Sequence, residues 1–339
     1  MTHSRTPRVA VLGAGSWGTT VAAIAAQKSP TTIWARSTGT ANEINDDHRN
    51  SAYLADAMLP RSLAASDDLE RVVEDADVLI LAIPAQSLRG VLTRVADHLR
   101  PWIPVISVSK GIERGTRLRM TQVVQELLPD HPAGALSGPN IASEVIGGYA
   151  AAATIAMPDE GLACRVADLF RTSRFRVYST TDVVGVEVAG ACKNVYAIAV
   201  GMADGAGAGD NTKAMVMTRS GREMARIGEA LGGSRDTFAG LAGMGDLIVT
   251  CTSKGSRNRR VGEALGRGQT IDEALSSMNQ VAEGVATSKV VVELAEELGI
   301  DVPIARVVEA VVHRGATAAE AYRGLRRTEP GHEIRGAGW

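Results

Sequence analysis

The sequence of 339 residues is 45% hydrophobic, so it can bury a sizeable core, and its length favours two domains. Its 36 basic and 38 acidic side chains leave a formal net charge of -2, which excludes an overall positive field that would hold a nucleic acid. The N-terminus lacks the pattern of a secretory signal, which predicts a cytoplasmic protein. Three widely spaced cysteines and six scattered histidines predict neither disulfides nor a metal site.

In the first half of the chain, short β-rich runs alternate with helical stretches. The predicted strands are Arg8–Leu12, Thr31–Arg36, Val78–Ile83, Val105–Ser109 and Ala150–Ala156. Alternation of this kind is typical of a parallel α/β sheet.

In the second half, from about Asp182, the β-rich runs stop and the apolar residues take helical spacing. The longest apolar stretch, Val183 to Val200, is interrupted by three polar residues, which favours a buried helix over a membrane span. These three residues are Glu187, Lys193 and Asn194. Further helices are predicted over Thr212–Leu231, Thr287–Leu298 and Pro303–Val312.

These patterns predict an α/β protein with two domains. Residues 1–182 form an N-terminal Rossmann-type, doubly wound sheet, and residues 183–339 form an all-α domain. No linker rich in Pro or Ser separates the two halves, so we expect them to pack directly with a cleft between them.

A glycine-rich segment, GAGSWG at residues 13–18, follows the first predicted strand and precedes an Ala-rich helical run. In a dinucleotide-binding loop, Gly13 permits the tight turn, Gly15 lets the backbone approach a pyrophosphate, and Gly18 lets helix and strand pack closely. The alternative is a glycine-rich turn of an unrelated α/β protein, but the strand and helix on either side favour the nucleotide site.

The end of the second predicted strand indicates which dinucleotide binds. NAD-specific sites usually carry an acid there, whereas this chain reads Trp34-Ala35-Arg36-Ser37. Arg36 favours a ribose 2′-phosphate, so we predict NADP or NAD as cofactor with NADPH preferred. A solvent-exposed arginine at a strand end is the alternative.

Lys193 is the candidate catalytic residue, because a lysine within an apolar stretch is costly to bury without a partner or a task. Desolvation lowers the pKa of a lysine towards neutrality, where it can exchange a proton with a substrate hydroxyl. The alternative is a lysine that extends to solvent at the edge of a helix. Asp246 lies among small apolar residues, needs a partner if buried, and would fit Lys193.

The run Ser256-Arg257-Asn258-Arg259-Arg260 has a good N-cap residue followed by cations in the first helical turn, where acids are usual. This arrangement favours a bound phosphate. A solvated basic surface or a weak nucleic-acid patch is the alternative, although no aromatic residues interleave the run. Lys110 follows a predicted strand and is a second candidate for the same anion.

Eight segments of the chain occur in the same order in one family. They are GAGSWGTT, SVSKGIE, SGPNIASEV, ACKNVYAIAVGMADG, GDNTKAMVMTR, LAGMGDLIVTCTS, SRNRRVGEAL and VAEGVATS. The chain resembles the bacterial NAD(P)-dependent glycerol-3-phosphate dehydrogenases nearly from end to end.

The resemblance implies residue roles beyond those argued above. It makes Lys193 the proton donor and acceptor, oriented by Asp246 and Thr250. It implies that dihydroxyacetone phosphate is reduced to sn-glycerol 3-phosphate for phospholipid synthesis. The implied substrate-binding residues are Lys110, Gly138, Asn140, Lys193, Asn194, Asp246, Ser256, Arg257 and Asn258. The implied cofactor-binding residues are Gly13, Gly15, Ser16, Trp17, Gly18, Arg36, Lys110, Ala142, Arg257, Val281 and Glu283.

At Asn140 many relatives have a hydroxyl residue, which leaves the detail of that contact open. Two rival functions also stay open. The chain could be a related dehydrogenase with another hydroxy acid or polyol phosphate as substrate, or a non-catalytic NADP-binding sensor. The expected partners are the small-molecule substrate and a possible second copy in a homodimer, without nucleic acid or a membrane span.

Overall fold

The computed structural model describes residues 5–276, 278 and 281–321. Within these residues the chain divides into two compact units. The first contains the described residues up to Ser109 together with Leu118–Val183, and the second contains Lys110–Arg117 together with the described residues from Val184 onward. The segment Lys110–Arg117 therefore packs with the helical unit, whereas the sequence expectation placed it in the first domain.

The first unit is built on an eight-stranded sheet. The strands are β1 (Val9–Leu12), β2 (Thr31–Trp34), β3 (Leu63–Ser66), β4 (Val78–Leu81), β5 (Val105–Ser107), β6 (Ala133–Ser137), β7 (Ala151–Ala156) and β8 (Phe175–Thr180). Their order across the sheet is β3-β2-β1-β4-β5-β6-β7-β8. This order, with β1 central and the chain winding outward in both directions, confirms the predicted Rossmann-type fold.

Both faces of this sheet are covered. Along β1, Val9 and Val11 belong to one buried apolar cluster, whereas Ala10 and Leu12 belong to another on the opposite face. The helices of this unit are α1 (Ser16–Ala25), α2 (Thr38–Asn42), α3 (Ser51–Leu54), α4 (Leu69–Glu74), α5 (Ala85–Val95), α6 (Met120–Leu127), α7 (Ala142–Ile146) and α8 (Glu160–Phe170). Burial on both faces explains why the strands read as continuous apolar runs.

The sheet is not parallel throughout, which corrects the prediction of a parallel sheet. Strands β1 to β6 are parallel, but β7 pairs with β6 in the antiparallel sense, with Leu136 opposite Ile155, and β8 follows β7 in parallel. An antiparallel neighbour needs no crossover, and the connection between β6 and β7 carries only the five-residue helix α7.

Three strands, β3, β6 and β8, were not predicted from the sequence. Strand β6 reads AGALS, a composition with low strand propensity, yet all five residues are buried. Position 134 requires glycine, because a Cβ there would lie 2.3 Å from the carbonyl oxygen of Ala156. Tertiary packing therefore decides this strand, and local propensity does not.

The second unit is helical, as predicted. Its helices are α9 (Val183–Gly205), α10 (Asp210–Ala230), α11 (Arg235–Ala239), α12 (Asp246–Thr252), α13 (Arg257–Gly266), α14 (Ile271–Ser276), α15 (Glu283–Glu297) and α16 (Pro303–His313). By length and composition α9 could cross a membrane, but 89% of its most apolar window is buried inside the protein, as in the core helix of a globular unit.

Helices α9 and α13 pack with their backbones in contact through glycines on both sides. A Cβ on Gly201 would lie 2.1 Å from the carbonyl oxygen of Arg259, and a Cβ on Gly262 would lie 2.0 Å from that of Ile198. No larger residue fits at such separations. This close approach brings the N-terminal turn of α13 beside the middle of α9, where Lys193 and Asn194 lie.

Candidate active site

Lys193 and Asp246 form a buried ion pair in the second unit. Lys193 lies in the middle of α9 and is 6% exposed, and Asp246 is the first residue of α12 and is 1% exposed. The Lys193 Nζ donates to Asp246 Oδ1 at 2.6 Å and to Thr250 Oγ1 at 2.6 Å. Thr250 stands one turn after Asp246 on α12 and donates to the same carboxylate oxygen at 3.2 Å. The structure thus brings the three predicted catalytic residues together.

A second lysine shares the carboxylate. Lys110 Nζ donates to Asp246 Oδ2 at 2.6 Å, so one carboxylate lies between two ammonium groups. Lys110 belongs to the segment that packs with the helical unit, where the neighbouring Ile112 is buried against Ala191 and Val290. This anchoring explains how a residue 136 positions away reaches Asp246.

The electrostatics of this group suit proton transfer. Burial is the largest influence on Lys193 and lowers its pKa, Asp246 opposes that effect, and the positive charge of Lys110 lowers it again; the resulting pKa is about 8. Burial alone would raise the pKa of Asp246, but the charges of Lys110 and Lys193 outweigh it and hold that pKa below its usual range. Asp246 therefore stays ionised while Lys193 titrates near neutrality.

A chain of amide hydrogen bonds surrounds the lysines. Asn194 Nδ2 donates to the carbonyl oxygen of Lys110 at 3.0 Å, and Asn258 Nδ2 donates to Asn194 Oδ1 at 2.9 Å. The Gly284 N–H donates to Asn258 Oδ1 at 3.0 Å. Four segments distant in sequence are thereby linked, and both predicted asparagines are fixed in orientation.

The remaining predicted residues of this unit lie around the start of α13. Ser256 is its N-cap and accepts from the N–H of Arg259 at 3.3 Å. Arg257 is exposed, and its guanidinium donates to the carbonyl oxygen of Val281 at 2.9 Å. Partial desolvation of the guanidinium lowers its pKa, and the carboxylate of Glu283 opposes that change. Arg259 instead pairs with Asp204 on α9, so the basic run divides between two tasks.

The glycine loop of the first unit has the geometry that its sequence predicts. Gly13 has a φ of 112°, and a Cβ there would lie 2.5 Å from the carbonyl oxygen of Ala82. A Cβ on Gly18 would lie 2.0 Å from the carbonyl oxygen of Gly13. At Gly15, the N-cap of α1, a Cβ would meet nothing within 4 Å. Gly13 and Gly18 are required by the fold, whereas Gly15 leaves space beside the backbone.

Ser16 and Trp17 form the first turn of α1. The Ser16 Oγ donates to the carbonyl oxygen of Tyr53 at 3.1 Å, and the Trp17 ring packs edge to face on Phe175. The indole N–H of Trp17 is buried without a hydrogen-bond partner in the described part of the chain. The side chains of Ser16 and Trp17 thus contact other residues of the same unit.

Four other predicted residues lie beyond the carboxyl ends of strands. Arg36 follows β2 and is exposed, and the parallel pairing of Leu12 with Trp34 places it at the same edge as the glycine loop. Gly138 and Asn140 follow β6, and Ala142 begins α7. Both polar side-chain atoms of Asn140 are buried without a partner among the described residues.

Comparison with known proteins identifies the family of this chain. Two family models match it: residues 8–163 fit the N-terminal region of NAD-dependent glycerol-3-phosphate dehydrogenase, and residues 182–323 fit the C-terminal region. The chain belongs to the NAD-dependent glycerol-3-phosphate dehydrogenase family.

Full-length relatives agree with this assignment. A glycerol-3-phosphate dehydrogenase [NAD(P)+] of Mycobacterium avium is 58% identical over 99% of this chain and 98% of its own length. One from Mycobacterium tuberculosis is 56% identical over 99% of each chain. The crystal structure of glycerol-3-phosphate dehydrogenase from Coxiella burnetii has a TM-score of 0.91 and 33% identity, and the match covers 95% of this chain and 99% of that one. The predicted enzyme class, an NAD(P)-dependent glycerol-3-phosphate dehydrogenase, is confirmed.

The first unit of this dehydrogenase fits a nicotinamide dinucleotide. The space beside Gly15 would admit a pyrophosphate, and the N-terminus of the ten-residue helix α1 offers N–H groups and the positive end of its dipole. In the described residues no group of three or more His, Cys, Asp or Glu could hold a metal ion.

Sequence reasoning missed one participant of the second-unit site. Gly284 donates its N–H to Asn258, and a Cβ there would lie 2.4 Å from the carbonyl oxygen of Asn194. The only signal was a glycine directly after Glu283 at a helix start, which does not separate a close backbone approach from an ordinary turn.

Proposed function

We propose that this dehydrogenase reduces dihydroxyacetone phosphate to sn-glycerol 3-phosphate with NADPH, and that Lys193 is its acid–base residue. The observation that carries the proposal is the buried group of Lys193, Asp246, Lys110 and Thr250. A bound reduced nicotinamide supplies the hydride that adds to C2 of the substrate. The protein must supply the proton.

Lys193 has one N–H left for that purpose. An ammonium group has three donors, of which Lys193 gives one to Asp246 and one to Thr250. Within the described residues the third has no partner. As C2 gains the hydride, the carbonyl oxygen takes a proton from Nζ, the carbonyl becomes an alcohol, and Lys193 is left neutral until solvent protonates it again. In the reverse direction neutral Lys193 accepts the proton.

Asp246, Thr250 and Lys110 keep Lys193 ready for this transfer. The carboxylate and the hydroxyl fix the direction of Nζ, which limits the freedom lost when the substrate binds. Lys110 lowers the pKa of Lys193 and adds positive charge where the oxygen of the substrate becomes negative. Without Lys110 less positive charge would oppose the effect of Asp246, so the pKa of Lys193 would be higher and Lys193 would be a weaker acid.

The phosphate of the substrate would bind at the start of α13. Arg257 and Asn258 lie in its first turn behind the Ser256 cap, so side-chain donors and the positive end of a ten-residue helix meet there. Lys110, Asn194, Gly138 and Asn140 complete the proposed set of substrate-binding residues.

The cofactor would bind along the glycine loop. Gly13 and Gly18 would give the loop its shape, and the backbone of Gly15 with the N–H groups of Ser16 and Trp17 would hold the pyrophosphate. Exposed Arg36 would pair with the 2′-phosphate of NADPH, which is the basis for preferring NADPH over NADH. The other proposed cofactor contacts are Lys110, Ala142, Arg257, Val281 and Glu283.

The product indicates the role in the cell. sn-Glycerol 3-phosphate is the backbone of glycerophospholipids, and we propose that this enzyme supplies their synthesis in the cytoplasm. A homodimer is the proposed assembly.

An assay of purified protein tests the proposal. Loss of the reduced-nicotinamide absorbance band is followed with dihydroxyacetone phosphate and either NADPH or NADH, and we expect faster loss with NADPH. Faster loss with NADH would keep the reaction and overturn the role of Arg36. Binding of NADPH without turnover of any hydroxy-acid or polyol-phosphate substrate would favour the non-catalytic sensor instead.

A further inference from the structure

Asn50 is a buried polar residue in the first unit that has no role in the proposed reaction. It precedes the short helix α3 and is 1% exposed. Its Nδ2 donates to the carbonyl oxygen of Ala14 at 2.9 Å and to Thr19 Oγ1 at 2.8 Å. Ala14 lies between the first two glycines of the loop, and Thr19 lies in α1. A side chain from a distant segment therefore fastens the glycine loop to the helix that follows it.

The bond to Ala14 orients the next N–H group. The peptide between Ala14 and Gly15 is planar and trans, so its C=O and its N–H point in opposite directions. With the carbonyl held by Asn50, the N–H of Gly15 faces away from Asn50. None of the described residues accepts a hydrogen bond from the N–H groups of Gly15, Ser16 or Trp17. These donors are available to an anion.

The orientation of the Asn50 amide is set by its partners. A carbonyl oxygen only accepts hydrogen bonds, so the NH2 group must face Ala14. Asn50 Oδ1 is left buried without a partner within the described residues. An unpaired buried acceptor costs free energy that an aliphatic side chain of similar size would avoid. The two hydrogen bonds that the NH2 group donates offset this cost.

A second contact from the same segment holds the same turn. The backbone carbonyl of Tyr53 accepts from Ser16 Oγ at 3.1 Å, and Thr20 Oγ1 donates back to the carbonyl oxygen of Ser16 at 2.9 Å. Residues 50–53 thus contact the glycine loop at both Ala14 and Ser16, which leaves little freedom for the peptide planes between them.

We propose that Asn50 is a positioning residue for the cofactor: it holds the Ala14–Gly15 peptide so that the Gly15 N–H is presented to the pyrophosphate. The inference rests on the proposed binding of the dinucleotide along the glycine loop. Preorganised donors bind an anion more tightly than donors that must first be ordered. Loss of Asn50 should therefore weaken cofactor binding without changing the acid–base chemistry of the second unit.

The test measures the dissociation constant of NADPH by fluorescence titration for the full-length protein and four variants. Asn50→Ala removes the amide, and Asn50→Asp keeps its shape but cannot donate to Ala14. We expect both to weaken NADPH binding by about tenfold or more. Thr19→Val removes only one partner of the amide and should weaken binding less. The matched control is Asn45→Ala, because Asn45 also makes two hydrogen bonds, both to the backbone of Ala65 on β3.

The outcomes distinguish a failure of the proposed role of Asn50 from a failure of the proposed cofactor site. NADPH binding within twofold of wild type in both Asn50 variants would overturn the role of Asn50, as would equal weakening in Asn45→Ala. Normal binding by Asn50→Asp beside weak binding by Asn50→Ala would show that shape alone matters, which also overturns it. Failure of the wild type to bind NADPH would overturn the proposed cofactor site itself. If Asn50→Ala does not fold, Asn50→Asp and Thr19→Val decide. The pH dependence of turnover at saturating cofactor should not move.

Discussion

The cofactor loop of the first unit and the lysine centre of the second unit use the chain in different ways. The loop lies within six consecutive residues, Gly13 to Gly18, and acts through its backbone. Glycines are required there because they have no side chain. The lysine centre acts through side chains from separate segments, with Lys110 and Asp246 lying 136 residues apart. One site is a local motif, and the other exists only after folding.

This difference determines how each site responds to substitution. A backbone site is insensitive to most side-chain truncations but sensitive to any added atom that fills the space of the ligand. A side-chain centre loses a specific chemical group with each truncation. Five predictions test this contrast, in order of decreasing effect.

Lys193→Ala should have the largest effect. Because the variant lacks the proton donor, kcat should fall by about 10²–10⁴-fold, while the dissociation constant of NADPH stays within about threefold of wild type. Steady-state turnover and fluorescence titration measure the two quantities. Lys213→Ala, which removes a lysine paired with Asp204 and Asp210, serves as the control. Near-normal turnover in Lys193→Ala would remove this lysine from the mechanism.

Arg257→Ala should act mainly on substrate binding. The guanidinium is proposed to hold the phosphate before and during the reaction, so KM for dihydroxyacetone phosphate should rise by about tenfold to a hundredfold with a smaller change in kcat. Arg260→Ala, an exposed arginine of the same helix, should leave KM unchanged. An unchanged KM in Arg257→Ala would mean that the phosphate binds elsewhere.

Gly15→Ala tests the backbone site directly. Its φ of -77° suits alanine and a Cβ there meets no protein atom, so thermal stability should be kept. The new methyl group would occupy the space proposed for the pyrophosphate, and NADPH binding should weaken by about tenfold. Gly18→Ala is the contrast: its Cβ would lie 2.0 Å from the Gly13 carbonyl oxygen and should destabilise the fold by about 1–3 kcal/mol. Tight NADPH binding by Gly15→Ala would contradict the loop as the pyrophosphate site.

The pH dependence of turnover tests the lysine centre without any substitution. Reduction needs protonated Lys193, and since its pKa is about 8, kcat for reduction should fall by about tenfold between pH 7 and pH 9. The reverse oxidation needs the neutral amine and should rise over the same range.

Lys110→Met sharpens this pH measurement. The substitution removes a like charge beside Lys193, which raises the pKa of Lys193 and moves both profiles to higher pH. Lys213→Met should leave them in place. A profile of Lys110→Met that does not move would show that Lys110 has no electrostatic influence on Lys193.

The basic run at the start of α13 shows where prediction from sequence reaches its limit. The sequence favours a phosphate site for the whole run, and Ser256 caps the helix as its residue type suggests. The structure separates the arginines, because successive residues of a helix point about 100° apart: Arg257 contacts the carbonyl of Val281, whereas Arg259 pairs with Asp204. A sequence shows which residues are charged, but the partner of each charge depends on the neighbouring helices.

The sequence by itself determined the features that depend on local geometry. These are the glycine loop after β1, the succession of an α/β unit and a helical unit, and the need of a buried Lys193 for a partner. Only the tertiary structure decided features that depend on which distant segments meet. It reversed β7 against β6, packed Lys110 with the helical unit, placed one carboxylate between two lysines, and brought Asn50 onto the loop. Local chain conformation follows from each residue and its neighbours, whereas these contacts follow from close packing of segments that the sequence keeps far apart.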